Sequence, residues 1–160
     1  MIESTIIKSE SSVIGKIKDY LQLIKVSLSI MVVFSSVISY LLAPKVVEYD
    51  WWMILLLFVG GMLVTGSANA INQVVEKDTD AMMKRTAKRP IASGRMSTQE
   101  GWAFAILTGA MGVFILGNYF NWLSAGLAAL SLFLYGFIYT PLKKVNSIAV
   151  LMGAIPGAFP

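Results

Sequence analysis

Asn72, Glu76 and Asp80 place three oxygen-bearing side chains four residues apart, with Asp78 between the last two. Steps of four stack side chains on successive turns of one helical face. With Asn72 at zero on a wheel of ~100° per residue, Thr65, Glu76, Asn69, Asp80 and Gln73 fall at roughly 20°, 40°, 60°, 80° and 100°. These six form one polar stripe. Hard divalent cations favour such ligands, and Mg²⁺ typically takes one or two carboxylates, completing its shell with water and substrate phosphate. The pattern therefore suits a metal-bound diphosphate, with Asn72, Glu76 and Asp80 as the ligands. Asp78 lies about 160° from Asp80 on a continuous helix and joins the site only if the helix bends or ends there. Arg85 and Arg89 follow with fork-shaped donors for phosphate or carboxylate, Lys84 and Lys88 add positive field, and Pro90 closes the segment. The chain has no cysteine and no histidine. Thiolate and imidazole chemistry are excluded from these residues, leaving carboxylates, amides and cations.

The elements that must hold this stripe are membrane helices. Hydrophobic residues make up 56% of the chain and charged ones only 14%, far from a soluble domain. Uncharged runs cover Val26 to Ala43 (18 residues), Trp51 to Val75 (25) and Trp102 to Leu142 (41). A spanning helix needs about 20 residues, so the last run is long enough for two passes, with a break at Gly117 to Asn121. The fold class expected is an all-α transmembrane bundle of four spans plus the start of a fifth from Val145 to Pro160. That last apolar run stops in mid-helix, which predicts that residues 1–160 are the amino-terminal part of a longer membrane domain.

Of the thirteen cations, Lys8, Lys16, Lys18 and Lys25 precede span one, six from Lys77 to Arg95 lie between spans two and three, and Lys143 and Lys144 follow span four. Only Lys45 falls in the opposite loops. The positive-inside rule then puts the 1–24 leader and the 76–101 loop in the cytoplasm, with a bacterial inner membrane as the address. Much of the +4 net charge is thereby a topology signal, and no nucleic-acid partner is required. The first run is too long for a signal-sequence core, and the leader mixes acids with lysines, unlike a transit peptide.

A polar stripe cannot face lipid, so it must line the bundle interior or a water-filled cavity. Gly60, Gly61, Gly66, Ser67, Ala68 and Ala70 on the same helix permit close helix packing. From the residues alone, three classes stay open: an enzyme acting on a diphosphate, a cation-coupled transporter or proton path, and a non-catalytic bundle whose basic loop binds anionic lipid or a partner.

The stretches "NAINQVVEKDTDAMMKRTAKRP" and "YTPLKKVNSIAVLMGAIPGAFP" resemble the UbiA superfamily of intramembrane prenyltransferases, in particular its haem-modifying branch. The first acidic motif of that superfamily corresponds to Asn72, Gln73, Glu76 and Asp80. The haem-modifying branch adds an acid at Asp78 and then Met83, Arg85, Thr86, Arg89 and Pro90. Tyr139, Thr140, Lys143, Lys144, Asn146, Gly153, Ala154, Gly157, Ala158 and Pro160 match its downstream pattern. The resemblance implies a nine-helix fold, with a second acidic motif in a half that these residues do not include. It also implies catalytic roles for Asn72, Glu76, Asp78 and Asp80 in the 76–101 loop region, and Mg²⁺ on Asn72, Glu76 and Asp80. Substrate binding falls to Lys84, Arg85, Lys88, Arg89, Tyr139, Lys143, Lys144 and Asn146. The implied reaction transfers a farnesyl group from farnesyl diphosphate to a vinyl group of protoheme IX, giving haem O for terminal oxidases. A different aromatic acceptor is the alternative within the family, and haem A synthase or oxidase assembly proteins are the implied partners. Phe58, Tyr135, Phe137 and Tyr139 are candidates for cation–π contact with an allylic cation, though mostly expected to pack. Glu76 stands where Asp is commoner and Lys144 where Arg is, changing the ligand arm and the donor fork.

Overall fold

The computed structural model describes residues 2–43, 48 and 50–142, without the side chains of residues 2–12 and of Pro141. Lys45, Lys143, Lys144, Asn146 and the fifth run from Val145 to Pro160 lie outside the described residues. The described chain is helical, in the order α1 (Ile2–Ile24), α2 (Val26–Leu41), α3 (Trp51–Val75), α4 (Lys77–Met82), α5 (Thr98–Tyr119) and α6 (Trp122–Phe133), followed by a π-helix (Leu134–Tyr139) and α7 (Thr140–Leu142). Three of these segments, Trp51–Val75, Thr98–Tyr119 and Trp122–Tyr139, are long and apolar enough to cross a membrane. A fourth span results if Val13–Ile24 and Val26–Leu41, bent by 49°, count as one. The break expected at Gly117 to Asn121 is where α5 ends and α6 begins, with the Asn121 side chain accepting from the Ser124 amide at 2.7 Å.

α3 is the central helix and packs along α5, with α2 and the α6–π-helix segment on its flanks. Lipid tails are as apolar as leucine, so helices in a bilayer associate through close packing and interhelical hydrogen bonds. α5 supplies a stripe of small buried residues, Gly101, Ala105, Gly109 and Gly112. A Cβ on Gly112 would stand 2.9 Å from the Gly60 carbonyl oxygen and 2.7 Å from a Val64 methyl. Only a glycine admits that approach of backbone to backbone. Ser67 Oγ crosses the same seam and donates to the Ala105 carbonyl at 2.7 Å.

The first span departs from the unbroken helix that its apolar run suggests. Lys25 adopts the left-handed conformation (φ 50°, ψ 61°), the single non-glycine residue with positive φ among those described. That conformation costs a non-glycine residue roughly 1–2 kcal/mol, and the break strands carbonyls that lipid cannot satisfy. Neighbouring side chains satisfy them. Ser29 Oγ and Asn69 Nδ2 donate to the Ile24 carbonyl at 2.7 and 3.0 Å, and Gln73 Nε2 donates to the Leu23 carbonyl at 3.0 Å and the Gln22 carbonyl at 3.3 Å.

The 83–96 loop folds back on the helix ends. Thr86, Pro90, Ile91 and Met96 are buried, and Ile91 and Met96 join Leu23, Ala70, Ile71, Val74 and Ala105 in one apolar cluster. The Met96 amide donates to the Pro90 carbonyl at 3.0 Å, and Ser97 caps α5 by accepting from the Glu100 amide. The loop between α3–α4 and α5 is therefore a packed element, positioned by its apolar residues.

Candidate functional site

α3 ends at Val75, and Glu76 sits at φ −95°, ψ 7° before the six-residue α4 begins. Helical spacing nonetheless survives the interruption. The Glu76 amide donates to the Asn72 carbonyl at 2.9 Å, and the Asp80 amide to the Glu76 carbonyl at 2.8 Å. Those rungs keep Asn72, Glu76 and Asp80 stacked, and all three are buried, with relative exposures of 3%, 6% and 4%.

Polar contacts tie the three together and to the loop. Asn72 Nδ2 donates to Glu76 Oε2 at 2.8 Å, while Asn72 Oδ1 is buried without a hydrogen-bond partner. Arg89 reaches back from the loop and donates to Asp80 Oδ2 at 2.6 Å. Thr86 Oγ1 donates to the Asp80 backbone carbonyl at 3.0 Å, fixing the loop against α4. Tyr135 lies within electrostatic reach of Glu76, Arg89 and Tyr139, and its ring stacks on that of Tyr139 with centroids 5.4 Å apart. Both tyrosines belong to the π-helix, whose wide turn is closed by Thr140 Oγ1 donating to the Tyr135 carbonyl at 2.7 Å. π-turns in α-helices often mark functional positions.

The expected stripe is thus divided between two jobs. Asn69 and Gln73 point to the α1–α2 break, and Thr65 Oγ1 bonds within its own helix to the Gly61 carbonyl. They do not line one continuous cavity wall with Asn72, Glu76 and Asp80. The reason is local: the broken first span needs amide donors, and these two face it. Asp78 is exposed, so the interruption at Glu76 leaves it outside the buried cluster. Lys84, Arg85 and Lys88 are also exposed, whereas Arg89 is half-buried on Asp80. The Arg89–Asp80 pair was beyond helical periodicity, because it depends on how the loop turns back. So was the proximity of Tyr135, which depends on the pairing of distant helices.

Two apolar clefts open between the helices, and neither is lined by a carboxylate. One, of about 340 Å³, runs from Ile71 past Ala105 and Gly109 to Leu132, Phe133 and Phe137. The other, of about 200 Å³, lies among Ile24, Phe58, Met62, Gly66, Phe104 and Thr108. Ile71, which lines the first, directly precedes Asn72 in α3. Among the described residues no three of His, Cys, Asp and Glu converge on a common point. A complete protein cage is therefore not formed there. Two buried carboxylates and an amide oxygen with no partner instead fit a hard cation that completes its shell with phosphate and water.

Residues 32–160 match the UbiA prenyltransferase family. The chain is 45% identical over 143 residues to the protoheme IX farnesyltransferase of Flavobacterium johnsoniae, covering 89% of this chain and 47% of that protein. It is 44% identical over 145 residues to the protein of the same name from Cytophaga hutchinsonii, covering 88% and 49%. To the mitochondrial protoheme IX farnesyltransferase of Arabidopsis thaliana it is 40% identical over 141 residues, covering 88% and 33%. The chain spans about half the length of these bacterial relatives. No solved structure matches it.

Proposed function

The chain belongs to the UbiA prenyltransferase family, and from that membership we propose that it acts in farnesyl transfer from farnesyl diphosphate to a vinyl group of protoheme IX. The buried set Asn72, Glu76 and Asp80, with Arg89 on Asp80 and an orphaned Asn72 Oδ1, carries the reading. The product is haem O, made for terminal oxidases in a bacterial inner membrane, with the 1–24 leader and the 76–101 catalytic loop on the cytoplasmic side. Haem A synthase or an oxidase assembly protein is the expected downstream partner.

Asn72 Oδ1, Glu76 and Asp80 would hold Mg²⁺. When bound, the ion neutralises diphosphate charge and improves the leaving group. The chain's own residues do the rest. Arg89 keeps the Asp80 carboxylate in place, and its fork is matched to phosphate oxygens. Lys84, Arg85 and Lys88, exposed around the same loop, attract the diphosphate or a haem propionate. The apolar cleft lined by Ile71 receives the isoprenoid chain and keeps water from the reacting carbon. As the allylic C–O bond breaks, diphosphate leaves with the electron pair. The stacked Tyr135 and Tyr139 are the candidates for cation–π contact with the allylic cation as it forms. The vinyl π electrons then form the new C–C bond, and water captures the resulting cation, losing a proton to give the hydroxyethylfarnesyl group. Tyr139 thus stands with the substrate-binding residues, as do Lys143, Lys144 and Asn146 by the resemblance.

Membranes containing the protein, with the complementary half of a relative supplied, are incubated with radiolabelled farnesyl diphosphate and haem. Mass spectrometry of the extracted haem is expected to show Mg²⁺-dependent haem O. Label on a different aromatic acceptor would redirect the reading within the family. Cation flux in proteoliposomes without any transfer would overturn it.

A further inference from the structure

We propose that α1 is seated in the lipid interface, its exposed apolar stripe buried among phospholipid headgroups and upper acyl chains of anionic lipid. This goes beyond prenyl transfer and does not depend on it. Val13, Ile14, Ile17 and Leu21 are all about half exposed, and within roughly 100° of one another on the helical wheel. The side of α1 that runs from Asp19 through Leu23 and Lys16 to Tyr20 is already engaged. Arg95 Nε donates to Asp19 Oδ1 at 2.8 Å, Lys16 Nζ and Tyr20 Oη donate to Glu100 Oε1 at 2.9 and 2.7 Å, and Leu23 is fully buried. Those contacts fix the rotation of α1, so the stripe cannot turn inward.

Depth identifies the occupant. α2 has 16 residues and rises about 24 Å, short of a hydrocarbon core of about 30 Å. An independent ruler agrees: Asn69, bonded to the Ile24 carbonyl, stands about 27 Å along α3 from Trp51. Trp51 and Trp52 are exposed at the far end of α3, where aromatic side chains favour the interface. The α1–α2 break therefore lies a few ångströms inside the core boundary on the side of the 83–96 loop. From there α1 climbs at 49° to α2, gaining about 1 Å of height per residue when α2 follows the membrane normal. Leu21 then sits at the core boundary. Ile17 and Ile14 fall within the headgroup layer, which adds roughly 5–7 Å on each side, and Val13 stands at its outer edge. Charge at this end selects anionic headgroups: Lys18 flanks the stripe and Lys77, Lys84, Arg85 and Lys88 are exposed against one exposed carboxylate, Asp78, while Asp19, Asp80 and Glu100 are in ion pairs. An amphipathic helix flanked by lysines is the form that binds such an interface.

The absence of cysteine permits single-cysteine labelling without other changes. Fluorophores are attached at Ile14→Cys, Ile17→Cys and, on the opposite side where a Cβ meets open space, Gly15→Cys. The protein is reconstituted in phosphatidylcholine–phosphatidylglycerol vesicles carrying a quencher on the upper acyl carbons. Probes at 14 and 17 are expected to be quenched severalfold more than the probe at 15, with the order reversed for aqueous iodide. Dilution of phosphatidylglycerol to zero is expected to weaken the lipid quenching. Equal quenching at the three positions would overturn the proposal. Protection of 14 and 17 from both quenchers would assign the stripe to a second copy or another protein, and unchanged quenching without phosphatidylglycerol would remove the anionic preference.

Discussion

α3 and its C-cap Glu76 carry two pairs of buried polar side chains in adjacent turns, and their surroundings give them opposite uses. Asn69 and Gln73 spend their amide donors on the backbone carbonyls exposed by the α1–α2 break. Asn72 and Glu76, on the neighbouring face, bond to each other and leave Asn72 Oδ1 without a partner. Gln73 Oε1 is also unpartnered, but its donor is committed to structure and no buried carboxylate is bonded to it. The difference teaches that an amide in a membrane helix takes its role from what faces it. Backbone carbonyls across the seam make it a brace, and buried acids beside it make it part of the proposed metal site.

The comparison is broken most severely at Asp80. Asp80→Ala removes a carboxylate from the proposed metal and strands Arg89, and transfer activity is expected to fall about 10²–10³-fold, the scale of losing one preorganised electrostatic group. Steady-state rates against Mg²⁺ concentration check this, and full Mg²⁺-dependent turnover would sink the assignment. Glu76→Asp keeps the charge and is expected to retain activity.

Arg89→Lys retains positive charge but loses the fork, so insertion is expected to be normal while activity drops roughly 10–100-fold, as for the loss of a charge-assisted hydrogen bond. Arg85→Lys should do less, because Arg85 is exposed and away from Asp80. Equal rates for both variants and the parent protein would reduce these arginines to topology signals.

The amide pair sharpens the contrast. Asn69→Leu leaves the bond from Ser29 to the Ile24 carbonyl but removes its own, and about 1–3 kcal/mol of stability should go with it. Thermal unfolding in detergent reads that loss, while turnover per folded molecule stays near the parent value. Asn72→Leu also removes a bond, the one to Glu76, but unlike Asn69→Leu should lower metal-dependent turnover per folded molecule. Identical profiles for the two would erase the distinction. Smallest is Ser67→Ala, which deletes one interhelical bond to Ala105; membrane hydrogen bonds average about 0.6 kcal/mol, so the shift in unfolding should be slight.

Much of the architecture was legible because it rests on local rules. A run of about 20 uncharged residues has few alternatives to a spanning helix, which gives Trp51–Val75 and most of Thr98–Tyr119, and the turn residues Gly117 to Asn121 give the break before Trp122. The four-residue spacing of Asn72, Glu76 and Asp80 likewise survives in the structure, since hydrogen-bonded rungs continue through the end of α3. The distribution of lysines and arginines also places the leader and the basic loop at one end, and the contacts of Arg95 with Asp19 and of Lys16 with Glu100 join them there.

What the tertiary structure alone decided concerns pairs far apart in the chain. Periodicity fixes the angle of a side chain about its own axis but says nothing of what stands opposite. It therefore grouped Asn69 and Gln73 with Asn72 and Glu76, until the break at Lys25 supplied carbonyls for the first two. Likewise the return of Arg89 to Asp80 depends on Ile91 and Met96 burying themselves among the helix ends. Tyr135 comes near Glu76 only because α3 packs against the π-helix. Local sequence determines each helix and its polar face; the packing of helices, driven by small residues and by the need to satisfy every carbonyl within lipid, determines which polar atoms are used up and which remain for a ligand.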